Sequence, residues 1–519
     1  MPRPSGLRFM ATALVALCFS MAALAADGVA WQPAANDADI ERAFVAARGE
    51  NKPVLLYWGA KWCPPCNQLK ATLFNRHDFI ERSKSLVPVE IDGDLPGAQR
   101  LGSRFKVSGY PTMVLMRGDG TEITRLPGEA DAPQVLQLLQ IGLAGGRPTK
   151  AVLTDARNGK PISGPEWRML AFYSWITDEA QLVPEAERPG VLAGLAAACP
   201  ATEADSATRL MLKALADSDD GKGVKADAML RNRVRGWLAD TKVARAQMDV
   251  LTSYAAEITK ALSAPGSAER KTLVAAYDAA LQKLQSDTTL SRADRFGALN
   301  ARVDLARIDA PKNERHPKIA AALQKQVREL SAQADREITD GYERQAVITG
   351  AAYVLSQTGL WSDSDALLKA NLEKSHSPYY LMSQLGGNAR KLGHKDEALR
   401  WYEQAFARSE GPATRLQWGA QYVTALVELA PAEGARVERA VLGMIDDAAR
   451  DKGAFDGRSA RSLSRVGKQL MQWNRDGKHD AVLERLRAKL DPVCAKLEGD
   501  ATARSACEAT FKPAAKPSA

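Results

Sequence analysis

Two cysteines separated by two prolines follow closely on a run of apolar residues. The run, residues 54–58, has the pattern of a strand that is covered on both faces. The segment Trp62-Cys63-Pro64-Pro65-Cys66 comes next. Because proline is tolerated in the first turn of a helix, we expect a helix to begin near Pro64. A buried strand that leads into a helix in this way is typical of an α/β domain.

The surrounding residues, 30–145, alternate between helical and strand patterns. Asn36 can cap a first helix, and Asp131 can cap a closing one. Short apolar runs bounded by turn residues predict four strands. The predicted strands are residues 54–58, 86–91, 112–116 and 121–126. This order of elements predicts an α/β domain over residues 30–145.

The spacing of the two cysteines suits redox chemistry. Cysteines two residues apart across a first helical turn can form a disulfide with little backbone movement. Unpaired N–H groups and partial positive charge at a helix N-terminus stabilise a thiolate on Cys63. We therefore expect Cys63 to exchange with a substrate and Cys66, one turn further in, to resolve the mixed disulfide. The alternatives are a purely structural disulfide and half of a zinc site.

This region resembles the thioredoxin family, and it resembles the thioredoxin-like domains of periplasmic disulfide reductases more closely still. The matching segments are residues 54–58, 61–70, 89–92 and 107–112. The resemblance covers residues 30–145, about a fifth of the chain. It implies a thioredoxin fold and a cis Pro111 that faces the two sulfurs. It also implies a substrate-binding groove at Trp62, Tyr110, Pro111 and Thr112, although plain packing is an alternative role for Trp62 and Tyr110.

Two departures from the family concern proton transfer. Tyr57 stands where the family often has a buried acid, and Pro88 replaces a lysine near the start of the next strand. The usual base is therefore missing. Water or Glu90 are the candidates to replace it.

The prolines between the cysteines bear on the direction of exchange. Pro64 and Pro65 have no N–H group, so the thiolate loses donors that other residues would offer. Less stabilisation of the thiolate makes the couple less oxidising. We therefore expect a reductase or isomerase. A reductase needs an electron donor, and the resemblance implies a membrane thiol transporter.

The N-terminus has the pattern of an export signal. Arg3 and Arg8 precede an apolar run that ends in Ala23-Leu24-Ala25. Small residues at the last and third-last positions suit signal peptidase, so residues 1–25 are predicted to be a signal peptide. The expected location is a bacterial periplasm, where disulfides persist. The alternative is an uncleaved membrane anchor.

Strand patterns disappear after residue 150, and residues 150–510 are predicted to be all-helical. One stretch, residues 379–412, resembles a tetratricopeptide repeat. Small and aromatic residues at the repeat's offsets let two antiparallel helices approach closely: Gly386, Gly393, Ala398, Tyr402 and Ala405. We expect an α-solenoid of helical hairpins, with a generic helical bundle as the alternative. Residues 511–519 are predicted to be a disordered tail.

Three further cysteines belong to the predicted mature chain. Cys494 and Cys507 lie on either side of Gly499-Asp500, a turn that would let them form a structural disulfide. Cys199 is then left over, either as a buried thiol or as a relay with Cys63.

Composition excludes several other classes of function. No tract of Lys and Arg alternates with aromatic residues, so no nucleic-acid partner is expected. Five histidines and a single C-x-x-C provide no zinc spacing, and no metal or other cofactor is predicted. A copper or haem-maturation chaperone would need added Met or His ligands.

Two hypotheses follow. The first is an exported oxidoreductase whose helical region selects protein substrates. The second is a non-enzymatic periplasmic adaptor, in which helical repeats bind partners and Cys63–Cys66 is structural.

Overall fold

A computed structural model describes residues 28–126, 128, 131–175, 182–218, 223–311, 313–497 and 500–512. The predicted signal peptide and residues 513–519 of the predicted tail lie outside the described residues.

A five-stranded mixed sheet forms the N-terminal part. Its strands are β1 (Gln32–Pro33), β2 (Val54–Gly59), β3 (Val87–Asp92), β4 (Thr112–Met116) and β5 (Glu122–Leu126). The order across the sheet is β1-β3-β2-β4-β5, with β1, β2 and β3 parallel and β4 and β5 antiparallel to their neighbours. Each of the four predicted strands is present within one residue at either end. The unpredicted β1 has two residues and no apolar run.

Five helices accompany the sheet. They are α1 (Asp37–Glu50), α2 (Pro64–Thr72), α3 (His77–Ser83), α4 (Ala98–Arg104) and α5 (Ala132–Leu143). Both predicted caps are present: Asn36 forms a capping box with Asp39, and Asp131 accepts a hydrogen bond from the backbone N–H of Gln134. The α/β arrangement agrees with the predicted thioredoxin fold.

The remaining described residues are all-helical, as predicted, and we call residues 149–512 the helical body. Its α-helices are α6 (Thr149–Arg157), α7 (Gly164–Phe172), α8 (Arg188–Ala198), α9 (Ala204–Ala216), α10 (Ala228–Ala239), α11 (Thr241–Ala246), α12 (Met248–Ser253), α13 (Ala255–Leu262), α14 (Ala268–Ser286), α15 (Arg292–Ala306), α16 (Ala321–Glu337), α17 (Gly341–Gln357), α18 (Trp361–Asn371), α19 (Pro378–Leu392), α20 (Lys395–Arg408), α21 (Pro412–Leu429), α22 (Gly434–Ala448), α23 (Gly457–Trp473), α24 (Asp480–Ala495) and α25 (Ala501–Ala509). A short 3₁₀ helix, Ala201–Glu203, precedes α9.

The sheet and the helical body share a hydrophobic core. Alternate residues of β2 point to opposite faces, so Leu55 packs in one core and Leu56 in another. The core that contains Leu55 continues into the helical body through Val152 and Leu170. At the junction, the hydroxyl of Thr149 donates to the carbonyl of Ile123 at 2.9 Å. The connection between α5 and α6, residues 144–148, therefore leads directly into a packed helix.

The predicted close approach of two helices occurs between α19 and α20. A Cβ atom placed on Gly386 would lie 2.9 Å from ring atoms of Tyr402. Gly393 ends α19 with a positive φ of 86°, which favours glycine. These contacts explain the small residues in this hairpin. Its assignment as a tetratricopeptide repeat stays a prediction.

We expect Gly386→Ala to destabilise this hairpin by about 1–3 kcal/mol, because the new methyl group overlaps the ring of Tyr402. Gly387→Ala is a matched control, since its Cβ would meet only the Tyr402 hydroxyl, at 3.7 Å. The control should be neutral or stabilising by up to about 1 kcal/mol, from the higher helix propensity of alanine. Urea unfolding followed by circular dichroism measures both; equal effects would contradict this account of the close approach.

A covalent bond joins α24 to α25 at the C-terminal end of the helical body. Cys494 of α24 and Cys507 of α25 are joined by a disulfide. Phe511 is 2% exposed and packs in the same core cluster as both cysteines. The predicted disordered tail begins at this residue, but burial of its aromatic ring keeps Phe511 within the fold.

Candidate active site

The paired cysteines lie where β2 leads into α2. Cys63 is the N-cap of α2, and its sulfur is bonded to that of Cys66, with 5.3 Å between the Cα atoms. The backbone N–H of Cys66 donates to the Cys63 sulfur at 3.2 Å. Since Pro64 and Pro65 have no N–H group, Cys66 is the first residue of the helix that can donate to this sulfur.

Asn67 holds the loop that precedes the disulfide. Its side-chain amide donates to the carbonyls of Lys61 and Cys63, both at 2.8 Å. Sequence reasoning assigned Asn67 no role, because a polar residue in the first turns of a helix has no distinctive pattern.

The predicted cis proline is present beside the cysteines. The Tyr110–Pro111 peptide bond is cis, and Tyr110 packs against the cluster formed by Ala60, Cys63 and Cys66. The hydroxyl of Thr112 donates to the carbonyl of Gly109 at 2.8 Å. Two of the segments that carry the family resemblance, residues 61–70 and 107–112, therefore meet at the disulfide.

Both sulfurs are covered. Cys63 is 2% exposed and Cys66 is fully buried. Helix α17 of the helical body packs against α2, the helix that begins at the cysteine pair.

Trp62 inserts into the helical body. Its indole N–H donates to the hydroxyl of Thr414 at 2.9 Å, and its carbonyl accepts from the side-chain amide of Gln345 at 2.9 Å. Its ring stacks on Tyr380, with centroids 6.0 Å apart, and lies 5.5 Å from the ring of Trp418. Helices α17, α19 and α21 thus surround the residue next to Cys63.

A second set of contacts covers Tyr110. The guanidinium of Arg458, near the start of α23, lies 5.2 Å from the ring centroid of Trp62 and 5.3 Å from that of Tyr110. It also forms a 2.5 Å ion pair with Asp94, which in turn accepts from the hydroxyl of Thr414. Asp94 is therefore a buried link between the sheet part and two helices of the helical body.

These contacts involve the residues of the predicted substrate-binding groove. Trp62 and Tyr110 were expected to flank bound substrate, with packing as the alternative. In the structure both rings pack against the helical body, and Pro111 and Thr112 beside them are half-buried. The sequence offers no signal for this, because even the two residues that hydrogen-bond to Trp62 lie 283 and 352 positions further along the chain.

Side chains at the ends of β2 and β3 bear on the missing base. Burial raises the pKa of Tyr57, so its phenol stays protonated and cannot replace the missing base. Glu90 is paired with Lys70 at 3.0 Å. Burial, with a smaller contribution from the charge of Asp94, raises the pKa of Asp92. Glu90 and Asp92 both line a cavity of about 530 Å³ that also reaches Ala60, a residue that packs with both cysteines.

Cys199 and the Cys63–Cys66 disulfide pack in different clusters. Cys199 packs against the core of the helical body, and its sulfur donates to the carbonyl of Glu203 at 3.5 Å. Burial raises the pKa of this thiol to about 11, which keeps it protonated at neutral pH. The structure does not bring Cys199 together with Cys63.

Comparison with known proteins identifies the sheet-containing part. A family model described as a thioredoxin-like domain matches residues 40–142. The thioredoxin of Mycolicibacterium smegmatis is 30% identical over 95 residues, which are 18% of this chain and 82% of that protein. Through this domain, the chain belongs to the thioredoxin family.

Other relatives contain the thioredoxin-family domain within longer proteins. The thiol:disulfide interchange protein DsbD of Pseudomonas fluorescens is 34% identical over 106 residues, covering 20% of this chain and 18% of that protein. DsbD of Yersinia pestis is 32% identical over 115 residues, covering 21% and 19%. The chain thus spans about a fifth of the length of these two relatives. Within its described residues, no helix combines the length and apolar character needed to cross a bilayer.

Proposed function

We propose that this protein is an exported thiol–disulfide oxidoreductase that exchanges disulfides with protein substrates through Cys63 and Cys66. One observation carries the proposal. In a thioredoxin-family domain, a disulfide lies at the N-terminus of a helix and packs with the tyrosine of a cis Tyr110–Pro111 bond. Relatives of this domain are named thiol:disulfide interchange proteins.

The proposed reaction in the reducing direction has two exchange steps. The Cys63 thiolate attacks one sulfur of a substrate disulfide, so a Cys63–substrate bond forms and the substrate bond breaks, releasing one substrate thiolate that takes up a proton. The Cys66 thiolate then attacks Cys63 and releases the second substrate thiolate. Two electrons pass to the substrate, and Cys63–Cys66 is left oxidised. An external dithiol must reduce it again.

The reducing or isomerising direction is supported by the local hydrogen bonding. Among the residues that the structure describes, Cys66 alone donates a backbone N–H to the Cys63 sulfur, because Pro64 and Pro65, which precede it in the first turn of α2, have no N–H group. Weak stabilisation of the thiolate gives a low reduction potential. Equilibration with dithiothreitol redox buffers measures this potential. A value near that of strong oxidants, about −120 mV, would contradict the proposed direction.

We propose a periplasmic location and a membrane thiol protein as electron donor. The basis is the N-terminal pattern of residues 1–25 and the likeness of the thioredoxin-family domain to DsbD. The helical body would select or position the protein substrates. Helical repeats suit extended peptides in general.

Reduction of insulin by dithiothreitol tests the activity. We expect the full chain to accelerate the reaction and Cys63→Ser to return it to the uncatalysed rate, because the attacking thiolate is lost. Cys199→Ser is the matched control and should retain full activity, since that thiol lies elsewhere in the fold. No acceleration by the wild-type chain, or equal rates for wild type and Cys63→Ser, would contradict the proposed activity.

The adaptor hypothesis remains a second candidate, and burial of Cys63 favours it. A disulfide that is 2% exposed could simply fasten the start of α2. Under that hypothesis, Cys63→Ser would lower the stability of the chain and change no exchange rate, because no exchange occurs.

A further inference from the structure

We propose that the helical body caps the Cys63–Cys66 disulfide and competes with protein substrates, so that exchange requires the cap to open. This inference rests on the proposed function. We define the cap as five residues of the helical body, each in contact with Trp62: Gln345, Tyr380, Thr414, Trp418 and Arg458.

The cap occupies the place where a substrate would have to lie. A disulfide sulfur can be attacked only if another sulfur approaches it closely, and Cys63 has 2% of its surface exposed. Trp62 and Tyr110, the aromatic residues that pack with Cys63, are held together by the guanidinium of Arg458. A protein substrate cannot reach Cys63 while these contacts persist.

The contacts of the cap are of a kind that can separate. Polar groups make many of them: Gln345 donates to the carbonyl of Trp62, Thr414 accepts from its indole, and Arg458 pairs with Asp94. Each of these groups can be solvated when the surfaces part, which lowers the cost of opening relative to a purely apolar contact. The rim carries a further ion pair between Lys61 and Glu410, at 3.3 Å, with both side chains exposed.

The cap therefore separates two classes of reactant. A small reductant such as dithiothreitol needs only a brief, partial opening. A folded or extended protein substrate needs the surface of Trp62 and Tyr110 to be exposed. The same opening would present the aromatic pocket formed by Tyr380 and Trp418 to the incoming chain.

Weakening the cap without touching the cysteines tests the inference. The double variant Gln345→Ala/Thr414→Val removes both hydrogen bonds to Trp62. After reduction, we expect iodoacetamide to modify Cys63 at least about tenfold faster in this variant, read by mass spectrometry. Insulin reduction should rise by a similar factor. Thr424→Val is the matched control. Thr424 lies on α21, as Thr414 does, but its hydroxyl donates within that helix, to the carbonyl of Ala420.

The outcomes separate the cap from the proposed function. Equal alkylation rates in wild type and the double variant would overturn the cap, whatever the insulin assay shows. Faster alkylation with no insulin reduction in either protein would retain the cap and overturn the oxidoreductase. Faster alkylation together with faster insulin reduction, and no change in Thr424→Val, supports both.

Locking the cap shut tests the inference in the opposite direction. A carbodiimide condenses the amine of Lys61 with the carboxylate of Glu410, forming an amide across the rim. We expect cross-linked chain to lose at least about nine-tenths of its Cys63 alkylation rate if opening is required. Glu410→Gln treated in the same way is the control, since it keeps the neighbouring Lys70–Glu90 pair but cannot form this link. Unchanged alkylation in chain shown by mass spectrometry to carry the link would overturn the cap.

Discussion

A Cys66→Ser variant is expected to accumulate a covalent adduct with a disulfide-containing substrate. Cys63 can still attack, but the second step fails because serine provides no thiolate to displace the substrate. Turnover with insulin and dithiothreitol should fall by about two orders of magnitude or more, since release then depends on external thiol. Mixing the reduced variant with insulin and separating the products on a non-reducing gel measures the adduct.

The comparison with Cys63→Ser decides which sulfur attacks. That variant keeps Cys66, which is fully buried behind the N-terminus of α2, and it also keeps Cys199. We expect it to form no adduct. Equal adduct from the two variants would show that another thiol reacts, and would contradict the roles assigned to Cys63 and Cys66.

The thioredoxin-family domain is predictable because its signals are local. Each signal acts within a few positions of the element it determines: the apolar run at residues 54–58, the prolines after Cys63 and the helix N-cap at Asp131. The short helices α3 and α4 escape prediction, because seven residues provide too few turns for a clear period.

The cover over the disulfide is not predictable in this way. Trp62 looks the same in sequence whether it faces solvent, substrate or another helix. Its partners Gln345 and Thr414 are ordinary polar residues on long helices. Only the packing of α17, α19 and α21 brings them to Trp62, and that packing depends on the whole helical body. Fold and cysteine pair are therefore readable from the sequence, whereas access to the pair is not.

The largest loss of stability from one substitution is expected at a buried ion pair in the helical body. Arg209 of α9 and Asp249 of α12 have fully buried side chains, and one of their two hydrogen bonds measures 2.8 Å. The ring of Phe172 lies 3.8 Å from the guanidinium and separates it further from solvent. Asp249→Ala leaves this positive charge without its carboxylate. We expect the free energy of unfolding to fall by about 3–5 kcal/mol, measured by urea titration and circular dichroism.

An exposed pair is the matched control for this loss. Glu438 forms an ion pair with Arg485 through two hydrogen bonds, and the side chain of Arg485 is 56% exposed. Because water solvates Arg485 when its partner is removed, Glu438→Ala should cost no more than about 1 kcal/mol. Replacing Arg209 and Asp249 together by Met and Leu should restore much of the stability, since the cost of Asp249→Ala comes mainly from the unpaired charge. A double variant as unstable as Asp249→Ala alone would show that shape, not charge, determines the loss.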